Sequence, residues 1–364
     1  MSTPTAVKHA LAIAIQAREP VLLWGEPGGG KSRMIEGLST QLGRSCETVV
    51  GSVREATDFA GLPMRTDEGV VFVPPRWAQR AALAGDAVVF LDELTTSTPQ
   101  VQAAMLRIVL DREVGDLTLP STVSIVAAAN PPESAAGGYD LAPPLANRFC
   151  HLTWRPSARD WVDGMLQGWA PTEIPVVPEE RSDHLLRWRT YVTAFITAQP
   201  NRLHILPTDI AKQGTAWPSP RTWDQAARLG AAADAAAADE SVRLLLLTGC
   251  VGEGAAIEFA SYLKNLDLPD PEALLADPAS LVLPDRSDRA FAVLGSVVAA
   301  VAAEPTEQRW SAAWAVLRVA LDAAPPDVSA GAARALAGLK APSWKLPTDL
   351  REFLPMLRRA GIIR

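Results

Sequence analysis

GEPGGGKS, residues 25–32, satisfies G-x-x-x-x-G-K-[ST] at every fixed position. Ahead of it Val21, Leu22, Leu23 and Trp24 form a short apolar run ending at Gly25, the pattern of a buried parallel strand that delivers a phosphate loop. Gly25, Gly28, Gly29 and Gly30, with Glu26 and Pro27 between them, let backbone N–H groups turn inward on an anion, because no Cβ blocks the approach. Met34, Ile35, Leu38 and Leu42 then share one face of a helix whose amino end, the positive end of its dipole, points at the same anion. Lys31 is expected to reach the β- and γ-phosphates of a nucleotide, Ser32 to ligate magnesium, and Arg33 to belong to the same binding loop.

A second motif, VVFLDE at 88–93, supplies what that loop lacks. Val88 to Leu91 is apolar at every position, as in a strand buried on both faces at the centre of a parallel sheet. Its last residues should emerge at the carboxyl edge of the sheet, where open α/β sheets bind ligands. Asp92 is the expected magnesium ligand, directly or through water, and Glu93 is placed to polarise an attacking water as general base. The two motifs together are what hydrolysis of a magnesium nucleotide requires.

From here the chain resembles the AAA+ ATPases, and within them the MoxR-like group. LDELTTSTPQVQAAMLRIVLDREV, residues 91–114, looks like the MoxR stretch in which the acidic pair runs through a polar turn into a helix. Ser97 or Thr98 can cap that helix, Pro99 suits its first turn, and Val101, Ala104, Met105, Ile108 and Val109 make its buried stripe. Val123 to Ala129 reads as the next strand, ending at Asn130 before Pro131 and Pro132; the resemblance makes Asn130 the sensor 1 residue that orients the water. LAPPLANRF, 141–149, is similar to the segment that ends in an arginine finger, which implies that role for Arg148. Asn147 departs from the Asp more often found there. SPRTW, 219–223, looks like sensor 2, with Arg221 as the phosphate-contacting residue, in cis or in trans. In this family the finger serves a neighbouring subunit, so the resemblance implies a homo-oligomeric ring, most often a hexamer, that binds ATP and Mg2+.

Two further stretches read as hairpins: 62–72, with Asp67, Glu68 and Gly69 at its turn, and 114–122. The resemblance places such hairpins toward a ring's axial pore or its substrate side. Their residues alone are equally those of plain surface hairpins.

Composition agrees with a well-packed chain. A length of 364 residues allows two domains or three small ones, and 48% apolar residues exclude disorder on a large scale. Cys46, Cys150 and Cys250 are odd in number and widely spaced, which suggests a reducing compartment, hence a cytoplasmic location. The four histidines show no zinc spacing with them. The run Ala10–Ile15 is too short for a signal core, and that around Ala290–Ala303 is too short to span a bilayer, so no membrane association is expected.

The expected organisation is an α/β nucleotide-binding core over 1–155, a helical insertion before sensor 2 over 156–220, and an all-α lid and carboxyl-terminal region over 221–364. Trp154, Trp161, Trp169, Trp188, Trp217 and Trp223 crowd the middle part, as core anchors or a partner surface; core is the favoured reading. Three functions remain open. The first is a MoxR-type ATPase that remodels a protein client, often one with a von Willebrand A domain, with a metal-chelatase motor as a variant. The second is a helicase-like nucleic-acid motor, and the third a nucleotide-switched scaffold. A net charge of −7 and acids at the hairpin tips, with only Arg65 and Arg112 at their bases, speak against nucleic acid. An intact set of Lys31, Asp92, Glu93 and Asn130 speaks against a scaffold, which needs no base.

Overall fold

The computed structural model describes residues 3–67, 69–131, 134, 138–169, 171–266, 268–345, 347 and 353. The strands are β1 (Val21–Trp24), β2 (Ser45–Val50), β3 (Leu62–Thr66), β4 (Gly69–Val73), β5 (Ala87–Asp92), β6 (Glu113–Val114), β7 (Leu117–Thr118), β8 (Ser124–Ala129) and β9 (Cys150–Thr153). Five of them form a parallel sheet in the order β2-β5-β8-β1-β9. The apolar runs found in the sequence supply its centre: Val88 to Leu91 and Val21 to Leu23 are wholly inaccessible. Such strands form here because both their faces are covered by helices, so side-chain alternation has no meaning for them.

The chain packs as two compact units. One joins Met1–Pro178 with His204–Ile257, the other Glu179–Leu203 with Glu258–Arg364. Packing therefore interleaves the chain where the sequence reading cuts it at 155 and 220. The first unit holds the sheet and the SPRTW segment, 219–223. The second is helical, built on Ser182–Ala198, Ser287–Ala303, Glu307–Ala323 and Pro326–Gly338. Trp310 and Trp314 meet edge to face in its core, and the Trp310 indole donates to Leu336 O at 2.8 Å. No described helix is long and apolar enough to cross a membrane.

Within the first unit, Thr98 and not Ser97 caps the helix Pro99–Asp111, accepting from the Val101 N–H. Val101, Met105, Ile108 and Val109 are buried as expected, while Ala104 is only partly covered. Both hairpins form, β3 with β4 and β6 with β7, though Glu68 lies outside the described residues. They are fastened to each other. Asp116 N–H donates to Phe72 O at 2.9 Å and its carboxylate accepts from Phe72 N–H at 2.7 Å. At Gly115 a Cβ would stand 2.4 Å from Phe72 O, so the contact requires glycine there. Asp116 is thus a joint between hairpins and not a free acid at a tip. Arg112 is likewise engaged: its guanidinium donates to Val123 O, Pro120 O and Arg18 O.

The tryptophan-rich segment needs a correction. Trp154, Trp188, Trp217 and Trp223 are buried, but Trp161 and Trp169 are 54% and 66% exposed. The helix Ala158–Gln167 carries Trp161 over a cavity instead of into the core.

β9 is anchored to β1 by more than its ladder. The Trp24 indole donates to His151 Nδ1 at 2.9 Å, and His151 Nε2–H donates to Ala146 O at 2.9 Å. Both ring nitrogens are satisfied in the neutral form, and burial pushes the imidazole pKa down from 6.5 to about 4. A folded value below the unfolded one means that the stabilisation is complete above about pH 6.5 and is lost as pH falls toward 4, because only the unfolded chain takes up the proton in that window. Stability followed by urea unfolding should fall by roughly 1 to 3 kcal/mol across this range. In His151→Asn that part of the slope should be missing; an unchanged slope would assign it to other groups.

Candidate nucleotide-binding site

The sheet order places three strand ends side by side. Trp24 pairs with Ala129 and Leu91 with Ala127, so Gly25, Asn130 and Asp92 leave the same carboxyl edge on adjacent strands. Gly25 N–H donates to Ala129 O, extending the ladder into the loop. The loop then turns into the helix Lys31–Gln41 through Gly30 at φ +82°, a left-handed conformation that favours glycine. No side chain caps this helix. Its first N–H groups face the cavity with the positive end of the dipole, as an anion site requires.

A cavity of about 330 Å³ is lined by Pro27 to Arg33, Asp92, Glu93 and Asn130. Lys31 is 8% exposed, and its ammonium donates to Gly25 O at 2.6 Å, Glu26 O at 3.1 Å and Asn130 Oδ1 at 2.8 Å. Burial pulls its pKa below the ordinary lysine value, while Asp92, Glu26 and Glu93 oppose the shift. Its partners are neutral oxygens that an incoming phosphate can replace. The Ser32 hydroxyl donates to Asp92 Oδ2 at 2.7 Å. A hydroxyl and a carboxylate held together at the foot of the loop are hard oxygen donors that fit Mg2+. Asp92 Oδ1 also accepts from Glu93 N–H at 2.8 Å, which orients the carboxylate.

Glu93 stands at φ +57°, unusual for a residue with a Cβ, and so ends β5 abruptly. Its carbonyl accepts from Thr96 and Ser97, and its carboxylate accepts from the Ser52 hydroxyl. Sequence reading missed Ser52. It lies just beyond β2, which only the strand order reveals to be the neighbour of β5.

Also missed was a second cavity, about 680 Å³, that continues from Gly28, Gly29 and Gly30 past Arg33 and Met34. Trp154, Trp161 and Trp169 and the Lys8 side chain line its far side. The Trp154 indole donates to Gly29 O at 2.7 Å and so braces the phosphate loop directly. Its outer wall, near 171–177, is strapped to the helices Pro4–Ala17 and Lys31–Gln41. Gln41 donates to Thr172 O at 2.6 Å, and Gln16 donates to Pro175 O at 2.8 Å. A mostly apolar space with aromatic sides beside a phosphate cradle has the size and chemistry for a nucleoside. The density of tryptophan in this stretch was the available signal.

Arg148 and Arg221 are not in either cavity. Arg148 precedes β9, whose Cys150 pairs with Val21, so it sits at the amino edge of the sheet. At about 3.3 Å per residue, β1 alone puts roughly 10 Å between that edge and the start of the phosphate loop. Arg148 Nη1 donates to Pro144 O, and burial with the nearby Arg221 charge lowers its pKa, while Asp111 opposes the shift. Arg148 and Arg221 are thus near enough for their charges to interact, and neither lines the cavities at the loop.

Residues 20–149 match the AAA domain of the dynein-related subfamily. The chain is 25% identical over 190 residues to midasin of Giardia intestinalis, covering 48% of this chain and 4% of midasin. It is 35% identical over 105 residues to protein MoxR of Methylorubrum extorquens, covering 29% of this chain and 30% of that protein. A solved structure of a Cytophaga hutchinsonii protein superposes with a TM-score of 0.41 at 15% identity, over 71% of this chain and 88% of the other.

Lys31→Ala removes the one ammonium that lies within the phosphate cradle. Calorimetric affinity for a non-hydrolysable ATP analogue should fall about 10- to 10²-fold, the worth of one hydrogen bond to a charged group. An unchanged affinity would take Lys31 out of the site.

Proposed function

As the chain is an AAA+ protein of MoxR type, with residues 20–149 its AAA domain of the dynein-related subfamily, we propose that it hydrolyses ATP at the interfaces of a homo-oligomeric ring, a hexamer, and uses the energy to remodel a protein client in the cytoplasm. The observation that carries this reading is the cavity in which Lys31, the Ser32–Asp92 pair, Glu93 and Asn130 converge.

In this reading Lys31 exchanges its carbonyl partners for the β- and γ-phosphates, and Asn130, relieved of Lys31, turns its amide to the water. Ser32 and Asp92 would hold Mg2+, which would supply positive charge against the phosphates. Glu93 leaves Ser52 and accepts a proton from the water. Base catalysis of this kind is worth about 10² to 10⁴ in rate, and the Ser52 hydroxyl is the partner that Glu93 would give up for the water. The base stacks among Trp154, Trp161 and Trp169. Arg148 lies at the edge of the sheet opposite its own loop, and with Arg221 near it we assign both arginines to the phosphates of a neighbouring subunit. An arginine so placed is worth about 10³ to 10⁵.

The hairpins favour a protein client over nucleic acid. Leu62, Met64, Val70 and Phe72 are between 42% and 61% exposed along β3 and β4. Arg112 is consumed by backbone carbonyls, and Arg65 alone does not track a phosphate backbone. A client with a von Willebrand A domain fits the MoxR type.

Arg148→Ala subunits should bind ATP normally and fail to hydrolyse it alone, as should Glu93→Gln subunits. Mixing Arg148→Ala with Lys31→Ala subunits should restore part of the activity, because some interfaces then pair an intact loop with an intact arginine. No recovery in oligomers shown to exchange subunits would confine Arg148 to its own chain. On the client side, neither DNA nor RNA should raise turnover at roughly 0.15 M salt. Robust stimulation by either would replace the protein-remodelling reading with a nucleic-acid motor.

A further inference from the structure

Asn147 is buried, 5% exposed, directly before Arg148, and its side chain bonds Ser219, two residues ahead of Arg221. Its Oδ1 accepts from the Ser219 hydroxyl at 2.8 Å, and its Nδ2 donates to Trp217 O at 3.3 Å. Ser219 caps the helix Pro220–Ala235 in a capping box with Thr222, so Arg221 sits in a first turn of defined geometry. One turn along the same face, Gln225 donates to Arg148 O at 3.4 Å and to Pro20 O at 3.3 Å. The arginine turn and the sensor 2 helix are therefore lashed together at two points, one on each side of Arg148.

We propose that Asn147 is a positioning residue that sets the spacing of Arg148 and Arg221 as a two-arginine clamp for a phosphate of another subunit. This rests on the ATPase reading above. The charges of Arg148 and Arg221 are near enough to repel, and Asp111 opposes that effect on Arg148 only in part. Arg148 Nε is buried with no hydrogen-bond partner. The backbone ties at Asn147 and Gln225 hold this arrangement against its own repulsion, and a shared anion would complete it. The amide is the side chain that can tie it. It accepts from Ser219 and donates to the Trp217 carbonyl at once, and it brings no charge. A carboxylate at 147 accepts from Ser219 but faces the Trp217 carbonyl with a second acceptor, and its charge draws the arginines into ion pairs of their own.

The test uses the full chain in its assembled form, with steady-state ATPase, calorimetric ATP affinity and thermal melting for each variant. Asn147→Asp and Asn147→Ala should lower kcat between about 10- and 10²-fold, the effect of a displacement near 1 Å. The ATP affinity should stay at the wild-type value, because each subunit's own loop is untouched. Combined with Arg221→Ala, Asn147→Ala should cause no further loss, since its effect passes through that arginine. Ser219→Ala, which removes the hydroxyl while leaving Asn147 in place, should lower kcat in the same way and serves if the Asn147 variants melt below the assay temperature. Wild-type kcat in the Asn147 and Ser219 variants, or losses that multiply with Arg221→Ala, would overturn the proposal while the ATPase reading stands. Undiminished kcat in both Arg148→Ala and Arg221→Ala would remove the clamp itself, and with it the assignment of these arginines to catalysis.

Discussion

The parallel register of β5, β8 and β1 is the constraint on which the rest depends. Because these three strands run the same way and are paired nearly level, their ends reach one edge together. The carboxylate of Asp92, the amide of Asn130 and the loop after Gly25 come from distant parts of the chain and would otherwise have no reason to meet. A slip of one residue in either ladder would turn Asp92 or Asn130 to the other face of the sheet. The full burial of Val88 to Leu91 and of Ala127 and Ala128 makes such a slip costly. Packing of strand interiors is thus what aligns the polar chemistry at their ends.

The same sheet separates two kinds of polar group. At the carboxyl edge lie the acids, the lysine and the free amino end of a helix. At the amino edge lies Arg148, with Arg221 near enough for their charges to interact. In the proposed reading each side of the sheet supplies half of one catalytic arrangement, and a ring is what would join the halves. β9 is the element common to both sides: it begins two residues after Arg148 and is followed by Trp154, whose indole bonds to Gly29 O.

Much of the core was legible because the phosphate loop and the acidic strand are local motifs with fixed chemistry. GEPGGGKS and VVFLDE each name their neighbours in sequence, and the structure puts Lys31, Ser32, Asp92 and Asn130 within hydrogen-bond reach as pairs. What could not be read were residues whose role depends on strand order or on a path across the sheet. Ser52 meets Glu93 only because β2 lies beside β5, a fact absent from either segment. Trp161 and Trp169 looked like core by composition, yet they edge a cavity, since hydrophobicity does not tell whether an aromatic ring fills a core or awaits a ligand. Asn147 registered as a departure from a motif; its two hydrogen bonds to residues seventy and more positions away gave it a physical reason.

The joint between the hairpins has a mechanical side. Phe72 and Asp116 exchange two hydrogen bonds, and the tight approach at Gly115 leaves no room for sliding. A load on β4 is therefore borne at once by β6 and β7, and these continue directly into the helix Pro99–Asp111, a rod about 20 Å long. The other end of that rod is tied, through the turn 94–98, to Glu93. The exposed hairpin and the acidic strand end are in this way joined through one helix, whose carboxyl end is closed by the left-handed residue Arg112.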